Sequence, residues 1–258
     1  MQTHRDANPR TEFRLSEARR KAPAELGDLR FQALLSNDAW AVLPAGIRRR
    51  FSKRLAGGNT VVYTGHVVET HMSRAGWWLA QAARLIGAPL PTARDAGMPS
   101  VVTVTEDAAT GGQIWTRLYA RRNRFPQVIN SSKRFSGPTG LEEYIGCGIS
   151  MALTVATSSG AIIFQSAGYF VMLGKQRLRM PRWLTPLDLR ITHSELGEPA
   201  RDAGRFEFKL ELTHPALGVL IRQGAIFRES GDALTNVARN PSADAGSVRH
   251  SRRLRFLE

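Results

Sequence analysis

In RFEFKLELT, residues 205–213, every second side chain is apolar: Phe206, Phe208, Leu210 and Leu212 alternate with Glu207, Lys209, Glu211 and Thr213. A strand sends successive side chains to opposite faces, whereas a helix would scatter these residues around its circumference. One dry face and one wet face is the pattern of antiparallel sheet, since parallel strands are covered on both sides. The same period runs through VVTVTED, IWTRLYARR, ISMALTVAT, AIIFQSAGYFVML, LDLRITHSEL and GVLIRQGAIFRE, and the earlier NTVVYTGHVVETHM, rich in Val, Tyr and Thr, reads as a strand in which Gly65 marks a bend or bulge. Turn signals such as Thr110-Gly111-Gly112, Ser158-Ser159-Gly160 and Asp202-Ala203-Gly204 separate them. The connections are too short for parallel crossovers. These runs predict an α+β, mainly β fold: seven or eight strands in a curved antiparallel sheet or partly open β-barrel.

Helical periods are confined to the first third of the chain. In DLRFQALLSNDAWAVLPAGIRRRF, Phe31, Leu34 and Leu35, then Trp40, Leu43 and Ile47, recur at helical spacing on either side of a break at Asn37-Asp38, which predicts two short helices. SRAGWWLAQAARLIGAPLP is the clearest helix, spanning 73–87: Ser73 caps its start, Gly87 ends it, and Pro89 and Pro91 forbid continuation. On a wheel, Ala75, Leu79, Ala82, Ala83 and Ile86 make one apolar face, Trp77 and Trp78 lie at its margins, and Arg74, Gln81 and Arg84 lie opposite. This amphipathic helix is expected to pack on the sheet, with its tryptophans bordering an apolar cavity or a membrane interface.

Residues 1–28 and 229–258 mix charge, proline and alanine without a sustained apolar period and read as a disordered basic extension and a disordered tail around a single β-rich domain, 29–228. No window resembles a membrane-spanning helix or the apolar core of a secretory signal, so a cytoplasmic address, peripheral to the inner membrane where basic loops meet lipid, is expected. The net charge is +14, and residues 1–30 and 229–258 contribute only three of it. The remainder clusters at 48–54, at 117–134 and at 175–182, a field that attracts polyanions: nucleic acid, an anionic membrane or an anionic small molecule. The lone cysteine, Cys147, excludes an internal disulfide and a cysteine-rich zinc site, and its glycine neighbours suggest a structural residue in a tight spot.

No cofactor or metal is expected. His66 and His71 in HVVETH are five apart on a strand and so face opposite ways, which defeats a helical metal pair. His193 and His214 read as strand termini, and Glu142-Glu143 as a solvated turn, although a buried pair of carboxyls would suit general acid-base work. Arg117, Arg190 and Arg222 each interrupt an alternating strand. If they face inward, their guanidinium forks converge on a carboxylate or phosphate. Arg117 has the better context, because Trp115 and Tyr119 share its face, while Arg190 lies between Asp188 and Thr192. In GKQRLRMPRWLTP, 174–186, bases alternate with Leu178, Met180, Trp183 and Leu184, and Pro181 and Pro186 deny a continuous helix. This suits a loop at a barrel mouth or lipid boundary better than an element that reads nucleic acid, a partner the charge alone leaves open.

The segments FQALLSNDAWAVLPAGIRRRF, GWWLAQAARLIGAPLP, WTRLYARRNRFPQVINSSKRF, FVMLGKQRLRMPRWLTP and ELTHPALGVLIRQGAIF resemble the bacterial family catalogued as domain of unknown function 4166, over residues 29–228. The resemblance implies a domain that occurs alone or joined to the C-terminal side of a nicotinamide-dinucleotide-binding, dehydrogenase-like domain, and it implies no activity. A glycine-rich dinucleotide fingerprint is missing here: AGGN and TGGQ sit in turns of an antiparallel pattern. The leading expectation is an accessory domain that binds an apolar or amphipathic, anionic, lipid-like ligand through Arg117, Tyr119, Trp77, Trp78, Arg177, Arg179 and Trp183. The alternatives are an enzyme using Arg117 with Glu142 or Glu143 on such a ligand, and an interaction module for a separately encoded dehydrogenase-like protein.

Overall fold

The computed structural model describes residues 27–230 except 56, 58, 86, 88, 89, 93, 175, 186 and 198–203. The expected extension and tail lie outside the described residues apart from their inner edges, as do Ile86, Pro89, Lys175, Pro186 and the Asp202-Ala203 turn. The inner edges are built in. Asp28 is buried and bonded to Arg30, and the Ser230 amide donates to the Val62 carbonyl.

A 3-10 turn (Gln32–Leu34) precedes α1 (Asn37–Ala41) and α2 (Ala45–Phe51). The Ser36 hydroxyl accepts from the Ala39 amide, so Asn37-Asp38 begins α1 instead of breaking a helix. Among the described residues there are eleven strands: β1 (Thr60–Met72), β2 (Pro99–Asp107), β3 (Gly112–Arg121), β4 (Arg124–Arg134), β5 (Glu142–Gly146), β6 (Ile149–Ser158), β7 (Ala161–Leu173), β8 (Gln176–Arg179), β9 (Asp188–Glu195), β10 (Arg205–His214) and β11 (Gly218–Glu229). The helix α3 (Arg74–Leu85) follows β1. All neighbouring strands run antiparallel, in the order β6-β5-β4-β3-β2-β1-β11-β10-β9-β7, and β6 pairs with β7 to close the ring. The barrel is therefore closed with ten strands, not partly open, and closure removes the sheet edges. β8 stands outside the ring, paired only to the end of β7.

The alternation in the sequence sorts as its period dictates. Phe206, Phe208 and Leu212 are buried inside, while Glu211 takes the Nε–H of Arg222 at 2.7 Å on the outer wall, where Glu69 meets Lys209 at 3.2 Å. Arg190 is also outside, so the three strand arginines do not converge and only Arg117 points in. The β6–β7 turn places Ser159 and Gly160 at φ 49° and 73°, the double positive φ of a hairpin turn matched to strand twist. Gly65 is not the bulge. The register of β1 against β11 shifts between Val67 and Glu69, and Gly65 instead lets its backbone approach Ile226, whose carbonyl a Cβ would overlap.

The two ends of the barrel differ. At one end the segment 31–51 plugs the lumen: Phe31, Ile47 and Phe51 are fully buried, with Phe31 edge-on to Phe51 at 5.1 Å and Phe51 against Phe164 at 5.5 Å. At the other end α3 meets β11. The Ser73 hydroxyl accepts from the Gly76 amide at 3.0 Å, and the Ser73 amide donates to the Leu220 carbonyl. Gly87, at φ 71°, terminates the turn after α3. Gly76 faces that same Leu220 carbonyl, and any side chain there would overlap it. Gly76→Val is expected to lift α3 from β11 and cost about 1–3 kcal/mol, read as a fall of several degrees in the thermal midpoint. An unchanged midpoint would mean that α3 is not seated as described.

Candidate ligand cavity

A ten-strand ring is wider than the eight-strand ring that side chains alone just fill. The plugged half compensates with aromatics. Around Trp115, His193, Phe206, Phe208 and Phe227 only about 10 Å³ remains free. Toward the other end the inward residues become aliphatic, and these cannot meet across the lumen. A cavity of about 450 Å³ results, walled by Ile129, Met151, Leu189, Ile191, Leu210 and Leu212, with Leu79, Ala82 and Ala83 of α3 above them.

Part of that wall is not sheet. Strand β7 pairs with β9 at Ile162–Gln165 and with β8 at Phe170–Leu173, so the ladder parts between them. The Ser166 hydroxyl accepts from the Leu189 amide and the Met180 amide donates to the Tyr169 carbonyl, and the described residues of 180–187 border the gap. Met180, Leu184, Thr185 and Leu187 face the cavity from this segment. The proline-broken basic stretch is therefore a piece of the barrel mouth.

Arg117 and Tyr119 form the inner end of the cavity. Arg117 is buried, donates to the Ser131 hydroxyl at 3.0 Å and lies 3.4 Å from one oxygen of Glu143. Lys133, almost wholly buried, donates to the other Glu143 oxygen at 3.0 Å. Two cations thus share one carboxylate on adjacent strands β3, β4 and β5. Burial acts to raise the Glu143 carboxyl, but Lys133 and Arg117 outweigh it and hold the group at about 2. Burial pulls the Lys133 ammonium below its ordinary value, with Glu143 as its counterweight. Tyr169, also on the wall, has its hydroxyl pushed well above the usual phenol range, chiefly by burial.

These positions correct several expectations. Glu142 and Glu143 are both buried instead of lying in a solvated turn. They point to opposite sides of β5: Glu142 accepts from the Ser136 hydroxyl and stands 2.7 Å from Arg177, an ion pair whose angle falls short of a hydrogen bond. Lys133, read only as part of a basic cluster, is interior. His193 is not a strand end but a core residue among Phe51, Phe164 and Phe208, with Nδ1 unbonded. Burial first, then the cations Arg50, Lys133 and Arg117, push it far below the usual imidazole range, so it is neutral. Cys147 is exposed, at φ 47° in the β5–β6 turn.

Of the other sequence-derived site residues, none lies in the cavity wall. Trp77 and Trp78 stand on the outer side of α3, edge to face at 4.8 Å. Arg177 is spent on Glu142 and on the Phe170 ring, 4.1 Å away. Arg179 lies against Gly168, and Trp183 projects into solvent at the mouth. Sequence reasoning missed Lys133, and it named Glu143 only in the enzyme alternative while favouring a solvated turn for it. The usable signal was parity, since Lys133 keeps step with Ile129 and Phe135, and Glu143 with Ile145. Among the described residues no group of histidine, cysteine, aspartate or glutamate is arranged to hold a metal, and no helix is long and apolar enough to cross a membrane.

No curated protein and no solved structure matches the chain. One family model does, over residues 43–227, which takes in the barrel from β1 to Phe227 of β11. The chain belongs to the family described as a domain of unknown function, DUF4166.

Proposed function

We propose that the barrel holds one single-chain amphiphile with an anionic head, the head on Arg117 and the tail along the aliphatic wall toward the mouth. The observation that carries this reading is a cavity of about 450 Å³ whose wall includes the buried Arg117 and Glu143, with Lys133 buried behind Glu143. That volume falls within the roughly 300–1,000 Å³ of small-molecule sites. An unbalanced buried cation is costly, and an incoming carboxylate or phosphate would balance it through bidentate bonds from the guanidinium. Tyr119 stands beside Arg117 to shape the head site. The segment 180–187 and α3 are the parts of the enclosure not held by a strand ladder, which favours them as the way in.

A catalytic reading with Arg117 and Glu143 has less behind it. A carboxyl held at about 2 is a weak base at neutral pH, and its two oxygens are already engaged. The binding reading is tested by native mass spectrometry of protein purified from cells without detergent, followed by solvent extraction. A co-purifying single-chain acid or phosphate is expected. A bare protein mass, together with no uptake of a fluorescent long-chain carboxylic acid, would remove the proposal.

A further inference from the structure

We infer that the mouth of the barrel docks on an anionic lipid bilayer. The strands alternate in direction, so the β3–β4 turn, the β7–β8 hairpin, the segment 180–187 and α3 all gather at the end away from the plug. That end carries large apolar side chains in the open: Phe125 is 92% exposed, Leu85 87%, Trp183 80%, Trp78 68% and Leu173 59%. The plugged end shows Leu29 and Val42 of this kind. Between the apolar groups stand Arg84, Arg122, Arg124, Arg179 and Arg182, which make no ion pair among the described residues.

A tryptophan-and-arginine border is the composition of a head-group boundary, where rings enter the interface and cations meet lipid phosphates. Each arginine held near an anionic surface strengthens binding by about fivefold. A second copy fits poorly, because two such mouths face to face would bring like charges together. The surface is also continuous with the cavity. Leu184 is half exposed yet forms cavity wall, and α3 turns Leu79 and Ala83 inward while presenting Trp78 and Leu85 outward. Docking is argued from exposed groups and stands whether or not the cavity holds a ligand.

The full chain is sedimented with vesicles of phosphatidylcholine alone or of phosphatidylcholine and phosphatidylglycerol in equal parts. Binding is expected only to the second. Trp78→Ser with Trp183→Ser, and separately Arg179→Glu with Arg182→Glu, should each weaken it at least about tenfold while the melting temperature holds. Arg48→Glu with Arg49→Glu, an equal charge change on exposed arginines at the plugged end, should weaken it far less. No binding by the unmodified chain overturns the inference. So does equal loss from both ends, which would assign binding to the bulk charge, or a tryptophan-dependent dimer without vesicles, which would make the surface self-associating. Uptake of a fluorescent long-chain acid by the unmodified chain, read without vesicles, scores the cavity separately.

Discussion

Replacing Glu143 by glutamine is expected to lower the thermal midpoint by roughly 10 °C. The substitution keeps shape and removes charge, leaving the Arg117 guanidinium and the Lys133 ammonium facing each other in a dry interior. Breaking a buried pair by deleting one partner costs about 3–5 kcal/mol. Linkage gives a figure of the same order: a carboxyl at about 2 instead of its ordinary 4.5 contributes about 3 kcal/mol. The sign follows from the lowered value. The stabilisation is fully present above about pH 4.5 and is lost as pH falls toward about 2, so the unmodified protein should lose more stability across that window than Glu143→Gln, which keeps only the acid sensitivity of groups such as Asp28 and Asp107. Glu143→Gln with Lys133→Met returns the cluster to one net cation, as in the unmodified protein, and places an unbranched thioether against Trp115 and Phe164, the rings now facing Nζ at 5.1 and 5.7 Å. At least half of the lost stability should return. Urea or thermal unfolding within about 0.5 kcal/mol of wild type for Glu143→Gln alone would show that the cluster is solvated and not structural.

Arg117→Met is the second large effect, and it falls on binding. Removing Arg117 leaves Lys133 and Glu143 as a balanced pair, 3.0 Å apart, so the cluster goes from one excess cation to none and the fold should persist. A long-chain fluorescent carboxylic acid and its matched alcohol bury the same tail and differ in the head. Losing a charge-assisted contact is worth about 1.5–3 kcal/mol, or roughly 10- to 100-fold in affinity. The variant should therefore bind the acid about that much more weakly and the alcohol unchanged. Equal affinity of the unmodified protein for acid and alcohol would take Arg117 out of the head site.

How much of this was legible in the sequence depended on what faces inward. Strands whose inner positions are apolar were read nearly to their ends, such as Ala161–Leu173, Arg205–His214 and Gly218–Glu229. Strands β4, β5 and β8 were not. In β4 and β5 the inward positions carry Ser131, Lys133 and Glu143, so polarity no longer reports the dry side and the period of two is lost. β8 is a four-residue ribbon outside the ring. Arg117 was recoverable because its neighbours Trp115 and Tyr119 disclose the face it shares. Its partner was not, since the sequence separation of 26 between Arg117 and Glu143 is bridged by the β3–β4–β5 ladder and by nothing local. Closure was illegible for a related reason: it depends on one long strand, β7, serving β6 on one side and dividing the other side between β9 and β8.

Among the described residues, Phe31, Ile47 and Phe51 stop one end of the barrel, so on the proposed reading the tube is blind there and is entered from the opposite end. An occupant held as proposed would back out the way it came, so it would not flow through from donor to acceptor, and each exchange would require an empty interval. With the cations at the blind end, a head would travel in first and a tail would follow, the order in which a lipid leaves a leaflet.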